Sequence, residues 1–139
     1  MTKARVGEAR FSILLHGDNL PVDKIESTLG LQATRMIRKG DVLNRLPLIE
    51  ATTDEWVHSI SMTEPDGADA DLNALLTQLG GRMDALKALE HDFQVTLRMY
   101  IQSDYAQIAY CLMPETLQKL VALGLPLSVS SLSWGEVGI

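Results

Sequence analysis

The chain reads as an α+β protein, a mainly antiparallel sheet of about five strands with about three helices packed on one face. Two observations predict this class. The strand segments alternate apolar with polar residues, as a sheet covered on one side does, where a parallel sheet buried on both sides runs continuously apolar. The helical segments between them carry leucine stripes bracketed by proline and glycine. Their order, βαβαββαβ, places strands and helices in one mixed unit.

Phe11, Ile13 and Leu15 alternate with Ser12 and His16, which marks the first strand, with Leu14 out of step. Gly17-Asp18-Asn19 is turn chemistry. Pro21 suits the first position of a helix, followed by Val22, Ile25 and Leu29 at helical spacing and Gly30 as a left-handed cap. From Leu31 to Glu55 the periodicity fades, with Gly40-Asp41 and Pro47 as breakers, so this stretch is expected to be a long, mostly irregular connection. Trp56, His58, Ile60 and Met62 then alternate with smaller residues and give a second strand.

Leu72, Leu75, Leu76, Leu79, Met83, Leu86 and Leu89 form the clearest amphipathic stripe, which Gly80-Gly81 is expected to kink or split. Phe93, Val95, Leu97, Met99 and Ile101 alternate without a break, the strongest strand signal present. Ala106, Ile108, Tyr110 and Leu112 predict a hairpin partner after Ser103-Asp104. Pro114 opens a third helix that Gly124 closes, and Leu127 and Val129 begin a last strand towards Trp134. The helices are expected on the face of Phe11, Ile13, Val95, Leu97, Ile108 and Tyr110. Gln94, Thr96, Arg98, Gln107 and Cys111 are left on the other face, which is either solvated or an interface.

Composition sets bounds on partners. The 139 residues suit a single domain over residues 1–139, long enough to bury a core without a disulfide or metal staple. Twelve basic against eighteen acidic residues give a net charge of -6 and a pI near 4.9. That balance disfavours a nucleic-acid binder, which needs lysine and arginine to displace counterions. The longest apolar run, Ile108 to Met113, is far too short to span a membrane, and Met1 to Arg10 has no signal-peptide core. A cytoplasmic address follows as the expectation, and the lone Cys111 suits a reducing compartment.

The Pro21-Val22-Asp23-Lys24-Ile25 helix, Leu29-Gly30-Leu31-Gln32-Ala33-Thr34, Arg38-Lys39-Gly40-Asp41 and Trp56-Val57-His58-Ser59 form an ordered set with Pro114-Glu115-Thr116-Leu117 and Leu123-Gly124-Leu125. In order and spacing this set resembles the bacterial family called domain of unknown function 4279, over nearly the whole chain. The stretch Val42 to Glu55 carries no family signature, and the ending at Trp134 departs from the tyrosine-like close of the pattern. The resemblance implies an α+β fold and carries no activity, substrate or catalytic residue.

Catalytic signatures are absent: there is no Gly-x-Ser-x-Gly elbow, Walker loop, dinucleotide glycine fingerprint or His-Glu-x-x-His helix. No cofactor is expected, and His16, His58 and His91 lack the spacing of metal ligands. The best site candidate is the basic segment 34–41, where Arg35, Arg38 and Lys39 crowd a Gly40-Asp41 turn whose amides could face an anion. Trp56 and His58 extend that candidate, Trp56 as a stacking platform or as buried core. His58 reads first as a core-edge residue with one satisfied hydrogen bond. The competing reading makes Arg35 and Arg38 structural partners of acids such as Asp41 or Glu26. Two functions therefore stand as expectations. One is a non-enzymatic protein-interaction module, for instance one neutralising a basic partner; the other is a receptor for a small anionic ligand, conceivably an enzyme. A homodimer through an uncovered sheet edge or face is compatible with either.

Overall fold

The computed structural model describes residues 6–61, 67–103 and 110–133. Strand β1 (Val6–Gly17) leads into helix α1 (Val22–Leu29), then β2 (Arg35–Ile37), β3 (Val42–Arg45), β4 (Leu48–Glu50) and β5 (Asp54–Ser61). Helices α2 (Ala68–Gly80) and α3 (Met83–Asp92), strand β6 (Gln94–Ser103), helix α4 (Pro114–Leu123) and strand β7 (Leu127–Ser133) complete the order. Five strands form one sheet in the order β2-β5-β1-β6-β7, and β3 and β4 pair separately.

The α+β class holds, with four differences from the sequence expectation. The sheet is mixed, because β6 and β7 run parallel while the other three pairings are antiparallel. A parallel return needs a crossover, and α4 supplies it. The described residues hold four helices instead of about three, because the Leu72–Leu89 stripe takes the split that Gly80-Gly81 allowed and parts after Gly80 into α2 and α3. The stretch Leu31–Glu55 holds three short strands. Strands of three or four residues are too brief for an alternation to register. The hairpin expected over Ala106–Leu112 falls partly on residues 104–109, outside the described residues, as do Met62 and Trp134; positions 110–113 carry no strand, and Tyr110 and Cys111 are exposed.

The core lies between the sheet and the helices. Phe11, Ile13 and Leu15 of β1, Trp56 of β5 and Val95, Leu97 and Met99 of β6 meet Ile25 and Leu29 of α1, Leu72, Leu75, Leu76 and Leu79 of α2, and Leu86 and Leu89 of α3. Helix α1 ends at Gly30, whose φ of +68° closes the turn with its N–H on the Glu26 carbonyl at 2.9 Å. A Cβ there would also meet the Arg82 guanidinium at 2.9 Å, which donates to the Thr28 carbonyl and places a cation at the negative end of α1. Helix α4 is held to α2 by Asp69, whose carboxylate accepts the Met113 N–H at 2.7 Å, and by Lys119, which donates to Asn73 and Thr77.

Leu14 is 1% exposed and Val57 8%, yet both point away from that core. They lie on the second face of the sheet, which no described helix covers. Ile13, fully buried at the centre of the covered face, sets the scale of packing. Ile13→Ala is expected to destabilise the fold by about 2–5 kcal/mol through lost transfer energy and the cavity left behind. Urea unfolding measures it, and a change under 1 kcal/mol would place Ile13 outside the core.

Candidate functional site

The basic segment 34–41 divides between two places. Along β2 the side chains alternate, so Arg35 projects on the uncovered face while Met36 packs on the core. Arg38, three residues on, turns to the opposite side and donates to the Leu20 carbonyl at 3.0 Å and to Asp54 Oδ2 at 2.8 Å.

Asp54 gathers the segment. Its Oδ2 accepts the Leu20 N–H at 3.0 Å as well as the Arg38 guanidinium, and its Oδ1 accepts the Lys39 N–H at 2.8 Å. The carboxylate is 7% exposed. The Lys39 amide, then Arg38, hold it below the ordinary carboxylate range, against the opposing effect of burial. The amides at the turn are likewise taken: Gly40 N–H donates to Ala51 O, Asp41 N–H to Arg38 O, and Arg38 N–H to Asp41 Oδ2. These groups staple the turn to β5. The structural partner of Arg38 is thus Asp54, while Glu26 accepts the Ala33 N–H at 2.8 Å.

Trp56 is fully buried in the core, and its indole N–H meets no acceptor among the described residues. His58 lies beside it, ring on ring at 6.4 Å and 19°, with Nδ1 2.7 Å from the Gln32 carbonyl. The indole is therefore core and the imidazole edges it. Neither joins Arg35.

Arg35 instead shares the uncovered face with Arg10 and Arg98. The register fixes this: Ser12 of β1 pairs with Ser59 and Arg98, Leu14 with Val57 and Thr96, and Arg10 with Ser61 and Tyr100. Arg35 pairs with Val57 and so extends the Leu14 row. A concavity of about 280 Å³ is lined by Arg10, Ser12, Arg35, Glu55, Ser59 and Arg98, over a floor of Leu14 and Val57. A second, of about 340 Å³, adjoins it through Leu14 and Arg98 and adds His16, Gln94, Thr96 and Ser128.

Arg10 and Arg98 are diagonal neighbours on adjacent strands, with Cβ atoms roughly 7–8 Å apart by ordinary sheet geometry. The Arg10 guanidinium rests over the Tyr100 ring, 4.8 Å from its centroid. Ser12 and Ser59 hydroxyls bond each other at 2.7 Å beneath them. His16 and Glu55 face each other at 3.8 Å towards the other end. Among the described residues, three guanidinium groups and one carboxylate thus line the concavity, on a chain of net charge -6.

Alternation carried back from Ser12 leads to Arg10, and the polar face of β6 includes Arg98. The sequence shows that both lie on a polar face but not that Arg35 joins them, because that depends on β2 pairing with β5 across the 16 residues between Ile37 and Asp54. Among the described residues no three His, Cys, Asp or Glu side chains gather as metal ligands, and no helix is long and apolar enough to cross a membrane.

A depressed carboxylate stabilises the fold above its unfolded pKa, near 3.8, and that stabilisation disappears as pH falls through the lower folded value. Asp69, lowered by the Met113 amide, acts in the same sense. The melting temperature is expected to fall as pH drops below about 4. Asp54→Asn is expected to melt lower at pH 7 and to lose part of that acid slope; an unchanged slope would remove Asp54 from the account.

A protein-family model described as a domain of unknown function (DUF4279) matches residues 7–134. No curated protein and no solved structure gives a significant match.

Proposed function

The chain belongs to the DUF4279 family, and we propose from its geometry that it is a non-enzymatic binding module that receives an anionic ligand on the uncovered face of its sheet. One observation carries the reading: on an acidic chain, Arg10, Arg35 and Arg98 are collected around one concavity with a buried apolar floor. Guanidinium forks suit a carboxylate or phosphate, since each offers paired N–H donors in a plane. The Ser12, Ser59, Thr34 and Thr96 hydroxyls around them add neutral partners for the body of such a ligand. A bacterial cytoplasm suits the exposed single thiol Cys111 and the family resemblance.

The distribution of charge sets the polarity of the site. Arg10 and Arg98 stand together at one end, on diagonal positions of adjacent strands. Glu55 offsets Arg35 at the other end, so the acid group of the ligand seats at the Arg10/Arg98 end. Arg38 and Lys39 contribute no binding energy in this reading, because Asp54 holds that segment.

A thermal-shift panel of phosphates, nucleotides and carboxylates, followed by calorimetry on any hit, tests the proposal. A ligand at 100 times its Kd raises stability by about 2.7 kcal/mol, well within reach of the method. Arg98→Ala is expected to weaken binding at least tenfold, and Lys39→Ala to leave it within twofold. The absence of any shift across the panel, or equal affinity in Arg98→Ala, overturns the reading.

A further inference from the structure

The β3–β4 pair stands outside the main sheet as an arm of its own. All nine residues from Val42 to Glu50 are exposed, including Val42 at 51%, Leu43 at 48%, Leu46 at 92%, Leu48 at 65% and Ile49 at 47%. A two-stranded hairpin by itself is at best marginally stable in water, and five large apolar side chains exposed over its two faces and tip are the kind of surface that marks an interface. The root is nevertheless firm. Gly40 N–H donates to Ala51 O and Ala51 N–H to Asp41 O, both at 2.8 Å, and the Asp54 contacts lie directly below. The arm is thus held out as a rigid apolar surface.

We propose that its occupant is the same arm of a second copy of this chain, the two lying side by side and antiparallel about a twofold axis. The charges choose this occupant and this orientation. In the arm's register Val42 pairs with Glu50 at the base and Arg45 with Leu48 near the tip. Asp41 adds a second acid at the base. A basic tip and an acidic base match when two arms run in opposite directions, each Arg45 reaching the partner's Glu50, and clash when they run in the same direction.

A twofold contact requires only one self-complementary patch and closes without growing into a filament. The rest of the surface opposes close approach of two copies, since each carries a net charge of -6. Within positions 42–50, by contrast, one arginine and one glutamate cancel. The face that carries Arg45 and Glu50 also carries Val42 and Leu48, so the contact is smaller than a standard interface and the dimer is reversible.

Light scattering on size-exclusion fractions of the full chain, over a concentration series from low micromolar to near millimolar, reads the result. The expected mass rises from 15.3 kDa towards twice that value. The Leu46→Asp/Leu48→Asp variant is expected to raise the dimer Kd at least tenfold; both positions are exposed, and an unchanged far-ultraviolet circular dichroism spectrum confirms the fold. Arg45→Glu is expected to weaken the dimer and Arg45→Glu/Glu50→Arg to restore it. A wild-type mass that stays monomeric throughout overturns the proposal. So does association that survives Leu46→Asp/Leu48→Asp, or a charge exchange that fails to restore pairing.

Discussion

The position of every other strand in the main sheet depends on β1. It is hydrogen-bonded along both edges, to β5 from Arg10 to Gly17 and to β6 from Val6 to His16. From Phe11 to Leu15 it is buried on both faces. An ordinary antiparallel sheet with one wet face places a polar side chain at every second position. Here Leu14 breaks that rule, and the break has a structural use. A leucine among Ser12, Thr96 and Ser59 supplies a dry floor on a face that no described helix covers, and the arginine stems around it shield that floor from water.

The Asp54 contacts do a comparable job at the edge. Strand β2 has three residues and only three register pairs with β5, too few to fix a strand by themselves. One carboxylate accepting the Leu20 and Lys39 amides and the Arg38 guanidinium ties the entry to α1, the end of β2 and the start of β5 into one junction. Charge-assisted hydrogen bonds around a largely buried acceptor are strong because water competes poorly there. Without this junction, neither Arg35 on the uncovered face nor the root of the β3–β4 arm would have a defined position.

Legibility in the sequence followed the length of each element. The continuous alternation of β6 and the leucine stripe broken at Gly80-Gly81 were both readable, since each repeats its period several times. Strands β2, β3 and β4 were not, because two or three alternations cannot be told from chance and their side chains are mostly exposed. The strand β7 was readable from Leu127 and Val129, but its parallel direction was not: it depends on the path of α4, which no local pattern encodes. The candidate site shows the same division. Crowding of Arg35, Arg38 and Lys39 in sequence suggested convergence, but an extended backbone sends residues three apart to opposite faces. The guanidinium groups that do share a face come from β1, β2 and β6, so only the pairing of distant strands reveals them.

The overall charge then decides what kind of binding such a face supports. A chain of net charge -6 repels an approaching anion at long range, and the arginine patch outweighs that repulsion only within about a Debye length, near 8 Å at physiological salt. Long-range steering, which speeds association where a whole protein carries the opposite sign, is therefore weak here. Under the proposed function, discrimination would rest instead on contacts at the floor of the concavity: paired N–H donors, serine and threonine hydroxyls, and the fit over Leu14 and Val57. Screening weakens such short-range, partly desolvated contacts less than it weakens diffuse attraction. The same reasoning separates this face from a nucleic-acid surface, whose affinity derives from many phosphate contacts spread along a basic track. In the proposed reading, three arginines around one small concavity on a chain of net negative charge suit a compact acid group better than a polyanion.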